Sequence, residues 1–480
     1  MNDSCINSQY QTFNPLIAAA QNGKYECMKL LLNYIISEQN FDNKFLQYIL
    51  DKDITSLQSS INNNEFDLHE PLLHTWTPLH IAVLINSVEV VELFLHNDSD
   101  VNASAEWKYT PLHYAAIGGA TEVLALLLAQ KAIQVNSQNI NGQTPLHLCC
   151  SNGWRECVAL LLENKGTSAN IQDTYGYTPL HYAALHNHAD CAHLILQRKE
   201  IQVNILNASA WTPLEMAVIH GSVACIEELL KHKNIKIHPV HIAGTTLLQL
   251  AAQRNDDSLQ YLLHTGLFNV NERDKTGDTA LHYAARAKTI QALHTLIHHP
   301  QLLLHTQNYV GKTALHIAAE DDNLITLNYL MSNTNNNYLL NMQDNNGNTP
   351  LHSAAMTWES YNTLQALVSH LSVLPNVENN DGQTALHWSI KAGRRRTAQI
   401  LLSRDSVDPN IPDKHGRTPL HSAVFRWNRE ELVDLLLKRS GVCVNARDNE
   451  GKTPLGLAQE LDDDEKETIV PLLLQHGAIL

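Results

Sequence analysis

The chain has 480 residues, of which 44% are hydrophobic and 17% charged, and its formal net charge at pH 7 is −16. Such an excess of acidic residues argues against a general nucleic-acid binder. The eight cysteines are scattered, which fits a reducing compartment. No secretory leader pattern opens the sequence, and no apolar run reaches the roughly 18 residues of a spanning helix. We therefore expect a cytoplasmic or nuclear protein without membrane insertion.

The first 76 residues are predicted to form degenerate N-terminal repeats that cap the chain. Asn14-Pro-Leu opens one helical unit, with Asn in the place where later units have Thr. Residues 45–61 form a second unit that is recognisable mainly by its length and its apolar positions. The gap from Asn14 to Thr77 is close to two of the periods that follow.

The best-formed copy of the repeated motif is Thr178-Pro-Leu-His-Tyr-Ala-Ala184. Thr178 is a helix cap, Pro179 suits the first helical position, and His181 lies where a capping box has its acceptor. The apolar run Leu194–Leu196 predicts a second helix that runs back antiparallel to the first. One such helix pair cannot bury its own apolar faces, so it must stack on copies of itself.

The capping Thr recurs twelve times at intervals of 33 to 36 residues, at Thr77, Thr110, Thr144, Thr178, Thr212, Thr246, Thr279, Thr313, Thr349, Thr384, Thr418 and Thr453. A Thr-Pro-Leu-His-x-Ala motif with this period resembles the ankyrin repeat. The resemblance covers nearly the whole chain. It implies an α-solenoid of stacked helix–turn–helix repeats, about fourteen in all, with short β-hairpins between repeats. We divide the chain into capping repeats at 1–76, a solenoid at 77–452 and a C-terminal capping repeat at 453–480.

Residues with reactive or metal-binding side chains are numerous, but their positions favour structural roles. Nine of the 27 histidines are the His of the motif. His186, His188, Cys191 and His193 look like a ligand cluster, yet in repeat register His188 falls at a turn and Cys191 in the core. The sequence contains no phosphate loop, nucleophile elbow or His-Glu-x-x-His motif. We therefore predict no metal, no cofactor and no enzymatic activity.

Aromatic residues mark successive predicted hairpins in the first half of the chain. They are Trp76, Trp107, Tyr109, Tyr175, Tyr177 and Trp211. The ankyrin resemblance implies that partners bind to hairpin tips and to the concave face, and Trp and Tyr are enriched in interface hot spots. Two interpretations remain open: these rings anchor a partner, or they pack on the neighbouring hairpin.

A second candidate surface lies in two repeats near the C-terminus, where basic residues gather in a chain that is acidic elsewhere. The basic residues are Lys391, Arg394, Arg395, Arg396, Arg404, Lys414, Arg417, Arg426 and Arg429, with Trp388 and Trp427 among them. Of these, the candidate binding residues are Arg394, Arg395, Arg396, Arg426, Trp427 and Arg429. One interpretation is a solvated basic face. The other is a site for an acidic segment or a phosphorylated peptide.

These features predict a non-enzymatic scaffold or adaptor that binds one or more partner proteins and no specific nucleic acid. Two alternatives remain. The first is an ankyrin-repeat effector of an intracellular microbe that captures a host protein, and the second is the regulatory subunit of an enzyme complex. The sequence does not identify the partner.

Overall fold

The computed structural model describes residues 25, 29–32, 44–73, 75–237, 244–287, 289–333, 337–357, 361–425 and 429–479. The chain divides into two compact units, residues 1–237 and 238–480. Each unit is built from pairs of short helices, which confirms the predicted helical repeat. The predicted terminal capping regions, 1–76 and 453–480, stay predictions.

In the first unit, each regular repeat has a first helix that begins directly after the capping Thr and a second helix joined to it by a short turn. The helices are α1 Lys44–Asp51, α2 Ile54–Asn62, α3 Pro78–Leu84, α4 Val88–His96, α5 Pro111–Gly118, α6 Thr121–Leu128, α7 Pro145–Asn152, α8 Arg155–Glu163, α9 Pro179–Leu185, α10 Ala189–Leu196, α11 Pro213–His220 and α12 Val223–Leu230. First helices pack on first helices and second helices on second helices, so that α7 lies between α5 and α9.

The second unit repeats the same pattern. Its helices are α13 Leu247–Arg254, α14 Asp256–His264, α15 Ala280–Arg286, α16 Gln291–Ile297, α17 Ala314–Glu320, α18 Leu324–Asn333, α19 Pro350–Met356, α20 Asn362–Ser369, α21 Ala385–Lys391, α22 Arg395–Leu402, α23 Pro419–Val424, α24 Arg429–Leu437, α25 Pro454–Ala458 and α26 Asp463–Gln475. A short 3-10 helix covers Asn337–Asn341. The motif apolar residues are buried throughout; Leu180 and Ala184, for example, have no exposed surface. Small alanines let neighbouring first helices approach closely.

The segments between repeats are turns, and the described residues contain no β-strand. The turn before α9 is closed by the Asp173 N–H, which donates to the Tyr177 carbonyl at 2.9 Å, and by the Gly176 N–H, which donates to the Asp173 carbonyl at 2.9 Å. The carboxylate of Asp173 also accepts from the backbone N–H of Tyr175 and Tyr177. The predicted β-hairpins are therefore not seen in the described residues, because each loop has two turn bonds and no ladder beyond them.

Successive turns are bonded to each other along each unit. The Ile140 N–H donates to the Trp107 carbonyl at 2.9 Å, and the Ala208 N–H donates to the Tyr175 carbonyl at 2.8 Å. A second line of bonds comes from asparagine amides that bridge to the next repeat through both their nitrogen and their oxygen. These residues are Asn102, Asn136, Asn170, Asn204, Asn271, Asn341, Asn376, Asn410 and Asn445. The turns are thus fixed relative to one another.

Eight of the nine motif histidines link the cap of their own helix to the following repeat, while Nε2 of His80 has no hydrogen bond to the described residues. The backbone N–H of Thr144 donates to Nδ1 of His147 at 3.0 Å, so this nitrogen carries no proton. Nε2 of His147 then holds the proton and lies 3.1 Å from the carbonyl oxygen of Tyr177, which accepts it. Burial lowers the pKa of His147 from 6.5 to about 4, because the cationic form would lose its water and the Nδ1 acceptor.

Three repeats lack this histidine without losing the cap. Gly456 donates its N–H to the hydroxyl of Thr453 at 3.1 Å, and in the other two repeats a side chain supplies the acceptor. Glu215 accepts from the Thr212 N–H at 2.8 Å. Gln249 accepts from the Thr246 N–H at 2.7 Å, and its amide nitrogen donates to the Asp278 carbonyl at 2.8 Å. Glutamine thus reproduces both histidine bonds and cannot titrate.

We predict that His147→Gln makes the protein less sensitive to acid. Between pH 6.5 and about 4 the unfolded chain takes up a proton at His147 that the folded chain does not, so the free energy of unfolding falls as the pH falls through this range. Stability is complete above pH 6.5, and the loss attributable to one such residue reaches about 3 kcal/mol at the acid end. Urea midpoints at about pH 7.5 and about pH 5 should differ less for His147→Gln than for the wild type. His69→Gln, at an exposed position, is the control. An equal acid loss in both variants would contradict the prediction.

One turn position requires a left-handed backbone. Gly142 and Gly176 have φ of 74° and 77° there, but the same position is Lys108, with φ 60°, and Ala210, with φ 62°, in two other repeats. A Cβ at Gly176 would lie 2.7 Å from the backbone nitrogen of Ala208. A side chain at this position is strained in every repeat, and at Gly176 it would also collide with the next turn.

We predict that Ala210→Gly stabilises the protein by about 1 kcal/mol, because glycine adopts the left-handed conformation without strain. Gly176→Ala should destabilise by more than that, since strain and collision add. Thermal unfolding of the variants measures both effects. Ala125→Gly in α6, at an exposed helical site, is the matched control and should destabilise. Equal signs for Ala210→Gly and Ala125→Gly would show that the turn is not strained.

Candidate partner-binding surfaces

Trp76, the first of the predicted aromatic residues, is buried. Its side chain is 3% exposed, and its indole nitrogen donates to the hydroxyl of Tyr114 at 2.9 Å. The two rings meet edge to face at 6.0 Å. A side chain enclosed in this way stabilises the contact between two repeats and offers almost no surface to a partner.

Large apolar side chains are exposed at four consecutive turns of the first unit. Trp107 is 39% exposed, Ile140 51%, Tyr175 45% and Leu206 39%. The backbone bond from Ile140 to Trp107 makes the first two neighbours, and the Gln172 amide, which donates to the Leu206 carbonyl at 2.9 Å, ties the last two turns together. We call these four residues the tip row. Ile140 and Leu206 are not among the residues predicted from the sequence, which are all aromatic; the signal for them is an apolar residue beside or within a turn.

Tyr109, Tyr177 and Trp211 lie directly before a capping Thr and are half-buried. The Tyr177 ring packs 5.6 Å from those of His181 and Tyr182. Burial raises the pKa of Tyr109. The Trp211 carbonyl accepts from His181 Nε2 at 3.0 Å, so its backbone position is fixed by the preceding repeat. Each of these rings has a packed side and a partly exposed side. The two interpretations from the sequence, anchoring of a partner and packing on the neighbouring turn, are therefore both compatible with its position.

In four repeats of the second unit the residue before the capping Thr contacts the residue seven positions after that Thr. We call the residues at these two positions, in all repeats, the inner row. In the second unit the pairs include Asp278–Arg286 at 2.8 Å, Lys312–Glu320 at 2.5 Å and Lys452–Glu460 at 2.7 Å.

The inner row of the first unit differs from that of the second because it contains no charged side chain in the five repeats whose capping residues are Thr77, Thr110, Thr144, Thr178 and Thr212. Its members are Trp76, Leu84, Tyr109, Ile117, Gln143, Ser151, Tyr177, Leu185, Trp211 and Ile219. Trp76, Leu84, Ile117 and Gln143 are buried, and the other six members are half-buried. The accessible part of the inner row is therefore uncharged in the first unit and carries charged side chains in the second.

Arg394, from the predicted basic surface, has a structural role. Its guanidinium donates to the carbonyls of Ala355, at 3.1 Å, and of Thr357, at the end of α19. The same repeat position is Trp154, which donates to the Ile117 carbonyl at 2.9 Å, and His188, which donates to the Ser151 carbonyl at 3.2 Å. Three different side chains thus satisfy the last carbonyls of the preceding first helix, which would otherwise be without partners.

Of the other predicted basic residues, some lie in the described part of the chain and some do not. Arg395 is exposed and lies 3.7 Å from Glu431, and the exposed Arg396 has its guanidinium 4.6 Å from the centre of the Tyr361 ring. Arg426 and Trp427 lie outside the described residues. Arg429 begins α24, but its side chain is outside the described part.

The described residues contain no group of three or more His, Cys, Asp or Glu side chains placed to hold a metal ion. None of the helices in the described ranges is both long enough and apolar enough to cross a membrane.

Comparison with known proteins agrees with the repeat architecture. A family model described as ankyrin repeats (3 copies) matches residues 2–139, 133–207, 165–241, 195–267, 214–302, 300–376, 363–448 and 408–480. The chain is similar to the crystal structure of the human ASB11 ankyrin repeat domain, with 30% identity, a TM-score of 0.40 and coverage of 48% of this chain and 99% of that one. The search of curated proteins gave no match. Ankyrin repeats are in general protein–protein interaction modules. Because the family matches extend from residue 2 to residue 480, the chain belongs to the ankyrin repeat family.

Proposed function

We propose that the protein is a non-enzymatic scaffold or adaptor whose first unit binds a partner protein through the tip row and the adjoining inner row. The observation that carries the proposal is the exposure of large apolar side chains on four consecutive turns. Isolated apolar residues at a surface are ordinary, but contiguous ones mark interaction sites.

The rigidity of the turns supports this assignment. Asn136 donates to the Gly166 carbonyl at 2.7 Å and accepts from the Ser168 N–H at 3.0 Å, and the turn-to-turn backbone bonds run beside this bridge. Side chains presented on a fixed backbone lose little conformational entropy when a partner binds. Trp and Tyr add large contact areas with few rotatable bonds.

The chemistry of the adjoining inner row indicates the kind of partner. Tyr177, Leu185, Trp211 and Ile219 are half-buried and uncharged. An isolated charged group placed against them would lose water without gaining a counter-charge. A partner surface centred on apolar side chains, with its polar groups at the edge, fits this unit best.

We predict that the double variant Trp107→Ser/Tyr175→Ser loses at least about thirtyfold in affinity for its partner, since removing a hot-spot anchor costs about 2 kcal/mol. Proteins retained by the immobilised full chain should be absent or strongly reduced with the variant, and calorimetry with a retained protein gives the affinity. The melting temperature should change little, because both side chains are well exposed.

Tyr309→Ser, at a turn in the second unit where the tyrosine is 60% exposed, is the matched control and should leave that affinity unchanged. Unchanged binding by the double variant together with a lowered melting temperature would mean that Trp107 and Tyr175 serve the fold and not a partner.

A further inference from the structure

Charges in the inner row of the second unit are paired within a repeat, with two exceptions. The pairs Asp278–Arg286, Lys312–Glu320 and Lys452–Glu460 each join opposite charges. In the repeats that begin at Thr384 and Thr418, the cation faces something else.

Lys391 is the first exception. Its inner-row companion is Gln383, which has no charge, and its ammonium group lies 5.8 Å from the centre of the Trp388 ring. Lys391 is exposed and makes no ion pair with any described residue. Its positive charge is therefore not compensated locally.

Arg417 is the second exception. Its inner-row companion is Phe425, whose ring centre lies 6.0 Å from the guanidinium carbon. Nε of Arg417 forms an ion pair without a hydrogen bond with the buried carboxylate of Asp448 at 3.7 Å, and the Arg417 side chain remains 36% exposed. His387 Nε2 donates to the Arg417 carbonyl at 3.1 Å, which places Arg417 beside the residue that precedes Trp388.

Polar atoms without partners are concentrated in the same part of the second unit. The indole nitrogen of Trp388 and Nε of Arg417 are buried donors, and Oε1 of Gln383 and Oδ2 of Asp448 are buried acceptors, that make no hydrogen bond to the described residues. Buried polar atoms normally have partners, so this part of the chain has unsatisfied hydrogen-bonding capacity of both kinds. Because the two helices α21 and α23 pack on each other, both donors and both cations lie in adjoining repeats.

Apolar surface borders these cations. Phe425 is 44% exposed, and Met356, at the inner-row position of the preceding repeat, is 40% exposed. An arrangement of two cations flanked by apolar side chains differs from a nucleic-acid surface, which needs a series of phosphate contacts. It fits a short extended segment in which carboxylates and apolar residues are mixed.

We propose that Met356, Trp388, Lys391, Arg417 and Phe425 form a site for an acidic linear peptide segment of a partner protein. Carboxylates of the segment pair with Lys391 and Arg417, and an apolar side chain packs on Phe425 or Met356. The net charge of −16 disfavours such a segment over most of the chain, and the exposed cations of this site favour it here. The site does not depend on the tip row, which lies in the other unit. It is the part of the predicted basic surface that contains Trp388, Lys391 and Arg417. Arg394 is left out because it is occupied by helix-end carbonyls, and Arg395 because it lies near Glu431.

The test uses a library of random peptides of about a dozen residues, displayed on phage and selected on the immobilised full chain. The wild type should select peptides enriched in Asp and Glu around an apolar residue. Lys391→Glu should lose that enrichment. Lys438→Glu, in the same unit at a side chain that is 68% exposed and paired with Asp434, is the matched control and should keep it.

A selected peptide is then synthesised with a fluorophore, and its affinity is measured by anisotropy. The dissociation constant should rise at least about tenfold in Lys391→Glu and again with added salt, since charges that contribute to affinity at an exposed site are screened. Lys391→Met, which keeps the aliphatic stem, should give a smaller loss and guards against an effect on folding. Selection without acidic enrichment, enrichment that survives in Lys391→Glu, or salt-independent binding would each overturn the proposal. Peptides lost only with Trp107→Ser/Tyr175→Ser would bind the tip row and would overturn this site while supporting the other.

Discussion

The imidazole that joins one repeat to the next is the interaction on which the rest of each unit depends. His181 accepts from the Thr178 N–H at 3.0 Å on one nitrogen and donates to the Trp211 carbonyl at 3.0 Å with the other. The ring satisfies a helix cap and a loop carbonyl that would otherwise be buried without partners. It does so only while neutral, and burial lowers its pKa to about 4. Each helix start is therefore positioned by the repeat before it, which is the nearest-neighbour coupling that a helical repeat array requires.

This coupling separates the framework from the recognition surface. The carbonyl that accepts from the histidine belongs to the inner-row residue before the next Thr, so its backbone is fixed whatever its side chain is. Tyr177, Trp211, Arg417 and Lys452 all use their carbonyls in this way. Side-chain identity at the position can change from aromatic to basic without loss of the bond. The same geometry can thus present surfaces of different chemistry in different repeats.

The sequence was sufficient to predict the helices, but not the conformation of the turns or the exposure of individual aromatic side chains. The Thr–His motif predicts each first helix because its two side chains form a local helix cap. Glu215 and Gln249 replace the histidine but keep a side-chain acceptor three residues after the Thr. The predicted β-hairpins are not seen in the described residues, where the loops are closed by two turn bonds and are bonded to the neighbouring turn. Trp76 and Trp107 have the same side chain, but Trp76 donates to a tyrosine hydroxyl of the next repeat and is 3% exposed, whereas Trp107 is 39% exposed. The structural role of Arg394 could not be predicted from the sequence. The residues that donate to helix-end carbonyls at the same position in other repeats, Trp154 and His188, are chemically unlike arginine.

Pairing within a repeat decides which part of the inner row remains available for recognition. When Lys312 meets Glu320 at 2.5 Å, the two charges offset each other, and an incoming charged group finds little net attraction. A repeat with Tyr177 and Leu185 instead leaves apolar surface, and a repeat with Lys391 above Trp388 leaves a cation. A partner gains most where the repeat has not already satisfied its own side chains. Selectivity in this chain therefore follows from the repeats that lack an internal pair, and those repeats have apolar character in the first unit and positive character in the second.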